Sequence, residues 1–327
     1  MGVRRFRLYL LNRNGIMYVD LFCRKIYEKA RIKVLSILKA ILLGLIQGLT
    51  EFTPLGGTGH LILFKELLNV QSDTSVYFEV FLHIATLIAV IIAFRHDIVN
   101  MFREFGDMWM RIFANFLVFI AKRKGDTRYT YFKVVNTAYK KLNIMLLISV
   151  VPTGLLGVLG QEFAGFVGSY LWAVGICFIV TALMLFFADR HSESNTRITE
   201  VPYSSGFLVG VAQGVTVVPG LSRSATSICM GLFLGFNKKL AVKFAFLATI
   251  PAIMGSLIYK LIVNNDFGRI AVSDVLGYVL GTIVAGVAGF FSIKLMLKVV
   301  LRKRYIGFSI YSLLVGLLAI GWSIFNK

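Results

Sequence analysis

Apolar residues along this 327-residue chain are not spread through it. They gather into runs of roughly 17–25 residues, long enough to cross a ~30 Å hydrocarbon layer at ~1.5 Å per residue. The pattern predicts helices at about 34–50 (VLSILKAILLGLIQGLT, running into EFTPLGGTGH), 77–94, 142–160, 163–187, 240–262, 271–291 and 305–325. Residues 206–218, then PGLSRSATS, then a further short piece to about 236 are each too short to cross, and together they predict a re-entrant hairpin. Between the spans lie a basic stretch, 95–141, with an apolar piece near 112–121 too short to span, and a polar loop at 188–205. Residues 1–33 carry nine basic residues and no sustained apolar run, so they are read as an N-terminal extension; residues 34–327 form one integral membrane domain.

That domain contains an internal repeat. Leu42–Thr50 matches Leu208–Thr216 at five of nine positions, namely Leu42/Leu208, Gly44/Gly210, Gln47/Gln213, Gly48/Gly214 and Thr50/Thr216. A proline (Pro54, Pro219) and a small-residue turn follow each segment. The halves are 34–205 and 206–327. Three predicted spans separate the two segments, so the second enters the membrane from the opposite face. The expected fold class is an all-α polytopic membrane protein with an inverted-topology repeat and two re-entrant helical hairpins, an arrangement that brings two broken helices together near the midplane.

Composition agrees with a membrane protein: 57% of residues are apolar and 16% charged, against about half and a quarter in soluble domains. The net charge of +19, from 35 Lys+Arg and 16 Asp+Glu, would suggest nucleic acid in a soluble protein. Here the basic residues sit between apolar runs, where the positive-inside rule and anionic headgroups account for them. On that rule 95–141, 188–205, the Lys238-Lys239 loop and the Lys294–Arg304 loop are cytoplasmic. The three cysteines have neither metal nor disulfide spacing, and no signal peptide follows the basic N-terminus.

Two polar clusters interrupt the apolar sequence: Gln47 to His60, with Glu51, Gly56, Gly57, Thr58 and Gly59, and Pro219 to Ser227, with Ser222, Arg223 and Ser224. An ionisable group at membrane depth costs about 2.5–3.5 kcal/mol, so it needs a partner or a wet cavity. Glu51, His60 and Arg223 all face that cost, and one shared cavity is the simplest solution. The glycines permit a tight turn with free N–H groups at a helix start, which suits phosphate. Arg223, between two serines, adds a planar fork for phosphate oxygens. Glu51 and His60 have the chemistry to hold a divalent cation or move protons. His83, mid-span, is read as a packing residue, and Asp189 as a helix-end charge.

On these residues the chain resembles the bacterial undecaprenyl-diphosphate phosphatase family, the bacitracin-resistance membrane phosphatases. That family carries (E/Q)xxxE running into EFLPxSSxGH, then PGxSRSGxT. This chain offers Gln47-x-x-x-Glu51, Glu51-Phe52, Pro54, Thr58-Gly59-His60, Pro219-Gly220 and Ser222-Arg223-Ser224, with family-like context at 78–98, 151–157, 188–190 and 243–255. The resemblance covers about 35–325. It implies hydrolysis of undecaprenyl diphosphate to the monophosphate for carrier recycling in cell-wall synthesis, in a bacterial plasma membrane with the site open to the outer face. It implies a divalent cation (Mg²⁺ or Ca²⁺), with Glu51 as metal ligand or acid/base and His60 as base or nucleophile. Ser222 and Arg223 then act on the diphosphate, and Gln47, Gly56, Gly57, Thr58, Gly59, Ser224 and Ser227 bind substrate. The partners are the polyprenyl diphosphate and membrane lipids, with no nucleic acid; a homodimer is left open.

The chain departs from the family where Gly56-Gly57 replaces Ser-Ser, leaving His60, Thr58, Ser222 or water as the nucleophile. The alternative is a catalytically weakened homologue that carries polyprenyl phosphate across the membrane. Ser222-Arg223 also opens an SRxxxxxHxxxD pattern of other lipid phosphatases, but Cys229 stands at its His position.

Overall fold

An apolar segment in hydrocarbon must satisfy its own backbone N–H and C=O groups, and an α-helix does so within one segment. The computed structural model describes residues 37–325 except 69, 71–75, 127, 192–193, 264–271 and 301–304, and those residues contain helices and no strand. The extension predicted at 1–33 lies outside the described residues. The helices are α1 (37–52), α2 (Gly57–Leu67), α3 (Val76–Ala93), α4 (Arg95–Arg123), α5 (Ala138–Leu159), α6 (Gln161–Gly168), α7 (Leu171–Arg190), α8 (Tyr203–Val215), α9 (Arg223–Phe233), α10 (Lys238–Val263), α11 (Val272–Val300) and α12 (Ile306–Phe325). Five of them (α5, α7, α10, α11 and α12) are each long and apolar enough to cross a membrane, and α3 with α4 makes a sixth candidate bent by 77°. The protein is a multi-pass membrane protein.

The structure redraws three predicted elements. The span expected at 163–187 is two helices: α6 ends at Gly168, Tyr170 is extended (φ −125°, ψ 110°), and α7 starts at Leu171. Two glycines and a serine within Gly165–Ser169 are weak helix formers, so the chain breaks there and the span shifts towards Arg190, taking Ala188–Arg190 out of the expected loop. The basic stretch is not a loop around a short apolar piece, because 95–123 is one continuous helix. Phe102, Trp109, Phe113 and Phe116 are exposed at helical spacing on it. Its other side is pinned to α5: Lys140 bridges Asp107 and Asn143 Nδ2 donates to Met101 O at 2.9 Å. The Lys140 ammonium, then Arg111, hold the Asp107 carboxyl below its ordinary value. Such an amphipathic helix suits a membrane surface. Finally, Lys294 and Lys298 belong to α11 rather than to a loop.

The basic segments gather at one end of the bundle. Lys243 donates to Asp97 (2.6 Å), Lys141 to Thr199 O (2.7 Å), Asn237 to Thr196 O (2.8 Å) and Tyr305 N to Asp189 (2.8 Å). At the other end Lys65 of α2 and Lys260 of α10 both bind Glu79 of α3, which neutralises part of their charge.

Close helix approach rests on glycine. A Cβ at Gly44 would lie 2.1 Å from Gly281 O, and one at Gly48 would lie 2.4 Å from Ala285 O, so α1 packs on α11 backbone to backbone. The corresponding Gly210 and Gly214 bring α8 onto α5, where a Cβ at Gly210 would lie 2.3 Å from Ser149 O. Gly175 of α7 and Gly316 of α12 face each other reciprocally, each Cβ position 2.7 Å from the other's carbonyl oxygen. Such small-residue contacts are how helices associate where hydrocarbon surrounds them.

Gly44→Ala is expected to lower the melting temperature of the detergent-solubilised protein by several degrees, since overpacking costs about 1–3 kcal/mol. Gly165→Ala, whose Cβ meets nothing within 4 Å, is expected to leave it unchanged or slightly raised.

Candidate active site

Each repeated segment breaks at a proline and a left-handed glycine. After α1, Thr53–Leu55 forms a turn because Pro54 cannot donate an N–H and disfavours helix in the residue before it. Gly56 then takes φ +83° and caps α2, a conformation that glycine adopts without penalty. After α8, Pro219 precedes Gly220 at φ +93°, and Ser222 caps α9 by accepting from Ala225 N at 3.2 Å. The two turns touch: a Cβ at Gly56 would lie 2.8 Å from Gly220 O and one at Gly59 2.7 Å from Gly220 Cα. Ser224 Oγ crosses between them to donate to Thr53 O at 2.8 Å. At 11 residues each, α2 and α9 reach only ~16 Å.

Glu51, 8% exposed, stands at the end of α1 beside this junction. Its Oε2 accepts from Gln47 Nε2 at 3.1 Å and its Oε1 from Arg223 Nη1 at 3.4 Å. The carboxylate leans over the first turn of α2, since a Cβ at Gly57 would lie 3.1 Å from Glu51 Oε2. Gln47 is fully buried, and its Oε1 has no hydrogen-bond partner. Thus Gln47, Glu51, Gly57, Ser222, Arg223 and Ser224 come together. Thr58 is half-buried on α2, and Ser227 Oγ is buried without a partner.

His60 faces elsewhere. Its Nδ1–H donates to Gly56 O at 2.9 Å and its Nε2 accepts from the Tyr311 hydroxyl at 3.1 Å. The ring lies parallel to Tyr311 (8° between planes) and edge-on to Phe178. It lines an apolar groove of about 660 Å³ with Leu63, Leu67, Leu318 and Trp322. Arg223 lines a different cavity of about 180 Å³, whose polar walls include Thr153, Gln161, Gln213 and Tyr259. The carboxylate and guanidinium therefore meet, while the imidazole is held by Gly56 O and the Tyr311 hydroxyl. His83 is buried, donates through Nδ1 to Glu79 O at 2.7 Å, and lies within electrostatic range of Glu51, Arg223 and Lys260. Among the described residues no group of three His, Cys, Asp or Glu side chains is placed to hold a metal.

Two residues escape a reading of the sequence. Thr181 of α7, fully buried, accepts from Ser222 N at 3.1 Å and shares its hydroxyl proton between Gly220 O (3.2 Å) and Cys177 O (3.1 Å), so it ties the turn that presents Arg223 to α7. Tyr311 of α12 holds His60. A lone threonine and a tyrosine inside apolar runs give no local signal; only the tertiary contact marks them.

Against known proteins, the model of the family described as "Bacitracin resistance protein BacA" matches residues 40–318. The chain is 32% identical over 286 residues to the undecaprenyl-diphosphatase of Halothermothrix orenii, covering 88% of this chain and 98% of the relative. It is 33% identical over 292 residues to that of Alkaliphilus metalliredigens (88% and 98%), and 33% over 296 residues to that of Methanobrevibacter smithii (89% and 99%).

Thr181→Val keeps the shape but strands the Ser222 N–H and Gly220 carbonyl. It is expected to cost about 1–3 kcal/mol, read as a lower melting temperature, whereas Thr181→Ser is expected to retain most of the stability.

Proposed function

The chain belongs to the bacitracin resistance protein BacA family, and on that premise we propose that it is an undecaprenyl-diphosphatase, hydrolysing the lipid diphosphate to the monophosphate. The observation that carries this reading is the pair of buried Glu51 and part-buried Arg223 where the two repeated segments meet. The diphosphate docks against the Arg223 guanidinium, whose fork suits phosphate oxygens, and against the free N–H groups at the start of α2. These donors are preorganised in water-poor surroundings, where they stabilise the charge of a transferring phosphoryl group.

We assign the attack to water. The family's two serine positions are Gly56 and Gly57, Ser222 Oγ caps α9, and both ring nitrogens of His60 are engaged. Water hydrogen-bonded to the Glu51 carboxylate attacks the terminal phosphorus and gives its proton to that carboxylate. The bond from that phosphorus to the bridging oxygen breaks, and the bridging oxygen leaves on the lipid monophosphate. A divalent cation, Mg²⁺ or Ca²⁺, fits the donors here, because hard cations take oxygen ligands and Glu51 with the unpartnered Gln47 Oε1 offers them. When bound, it would neutralise diphosphate charge.

The reciprocal packing of α1 on α11 and α8 on α5 supports an inverted repeat with α2 and α9 as the re-entrant limbs. The Arg223 cavity reaches Gln161 and Tyr259, towards the end away from the basic segments. That supports a site open to the outer face of a plasma membrane. The relatives' descriptions lend nothing to the carrier alternative.

Purified protein in detergent with Mg²⁺ and undecaprenyl diphosphate is expected to release phosphate; no release would overturn the reading. Glu51→Ala and Arg223→Ala are each expected to lower kcat/KM at least ~100-fold. Gly57→Ser is expected to be tolerated. Gly56→Ser is expected to lower stability and turnover, because φ is +83° and the new Cβ meets Gly220 O.

A further inference from the structure

The glycines of the bundle fall into two kinds. Those at 44, 48, 210, 214 and 281 let helices touch: an added Cβ would lie 2.1 to 2.7 Å from its nearest neighbour. Gly154 and Gly157 of α5 and Gly255 of α10 are different, since a Cβ at any of them meets nothing within 4 Å. These three glycines line the Arg223 cavity, with Pro251 and Ala252 beside them. Gly154 and Gly255 are themselves exposed, so the cavity opens sideways between α5 and α10 towards the surroundings of the bundle. They leave space rather than permit contact.

The inner end of this slot is built for an occupant. Arg223 supplies a cation, and Gln213, only 2% exposed, lines the wall. Its Nε2 donates to Ala248 O at 3.0 Å, but its Oε1 is buried with no partner. A buried carbonyl oxygen without a donor is costly, and a protonated phosphate hydroxyl, or water that accompanies the diphosphate, supplies one. The slot thus joins an anion-binding end to an apolar, laterally open end. Those are the two requirements of a lipid diphosphate. The groove beside His60 is larger, but among the described residues it is lined by Glu66 and by no Lys or Arg, so it lacks the charge that would anchor the head.

We propose that the slot between α5 and α10 seats the first isoprene units of the substrate, with its diphosphate at Arg223 and the rest of the chain leaving past Gly154 and Gly255. This rests on the diphosphatase reading. At about 180 Å³ the slot encloses only the head-proximal part of a polyprenyl chain. Selection therefore acts on chain thickness next to the diphosphate rather than on total length.

The test uses the full-length protein in detergent, after each variant is shown to be folded by its melting transition. Gly154→Leu and Gly255→Leu are each expected to raise KM for undecaprenyl diphosphate at least tenfold. The inhibition constant of inorganic pyrophosphate, which has the head and no chain, is expected to stay unchanged. Gly321→Leu, in the groove beside His60, is expected to have no effect on KM. Unchanged KM in both slot variants, or a rise confined to Gly321→Leu, overturns the proposal. Loss of pyrophosphate inhibition together with substrate binding would mean a disturbed head site and would also overturn it.

A second readout needs no turnover and so separates this proposal from the diphosphatase reading itself. Gly255→Cys is expected to be shielded from a maleimide by undecaprenyl phosphate, with the parent chain reporting background from its own cysteines. Equal labelling with and without the lipid counts against the slot. Shielding without any wild-type phosphate release would keep the slot and remove the enzyme.

Discussion

A buried carboxylate and a half-buried guanidinium inside an apolar bundle have little choice but to find each other. Glu51 lies at the end of α1 and Arg223 at the start of α9, 172 residues apart in sequence. Removing Arg223 would leave the Glu51 carboxylate, 5% exposed, without its countercharge, which is costly at such burial. To bring the two within reach, both helices must break at similar depth and their turns must meet. The prolines end α1 and α8, the left-handed glycines turn the chain, and Gly59 lies against Gly220 because no side chain would fit between them. Thr181 and Ser224 then lock the junction with hydrogen bonds to backbone. The polar centre is thus an electrostatic requirement met by steric economy.

Much of this was legible in the sequence. Runs of apolar residues announced helices, because hydrocarbon leaves a backbone no other solution. The Gln-Gly-x-Thr segments with trailing prolines pointed to two broken helices, and the opposite charges of Glu51 and Arg223 pointed to their meeting. What stayed hidden depended on contacts between distant parts of the chain. Hydropathy over 163–187 is continuous, so the break at Ser169–Tyr170 left no mark in it. The amphipathic α4 was masked by its basic residues, which make it look like a loop until the exposed aromatic face is seen in register. The charge pattern points to His60 as a site residue, but gives no hint that Tyr311, 251 positions away, would hold its second nitrogen. Thr181 gave no warning at all.

Glycine carries two opposite duties in this bundle. On α1, α8, α7, α11 and α12 it lets backbones approach until nothing larger fits. On α5 and α10 it keeps a wall thin. Sequence cannot tell these apart, since both read as glycine in an apolar helix. The distinction appears only when the space around each Cβ position is known, and it separates residues that hold the protein together from residues that hold room for something else.

The exchange of partners between the halves also bears on biogenesis. The glycine face of α1 rests on α11, and that of α8 rests on α5. During synthesis α1 emerges long before α11 exists, so its seat must remain empty while most of the polypeptide is still to be translated. Contacts so distant in sequence form late. The N-terminal half therefore enters the bilayer with α4 able to dock on α5 but with the glycine face of α1 uncovered, and the last two helices off the ribosome act as the clasp that closes it.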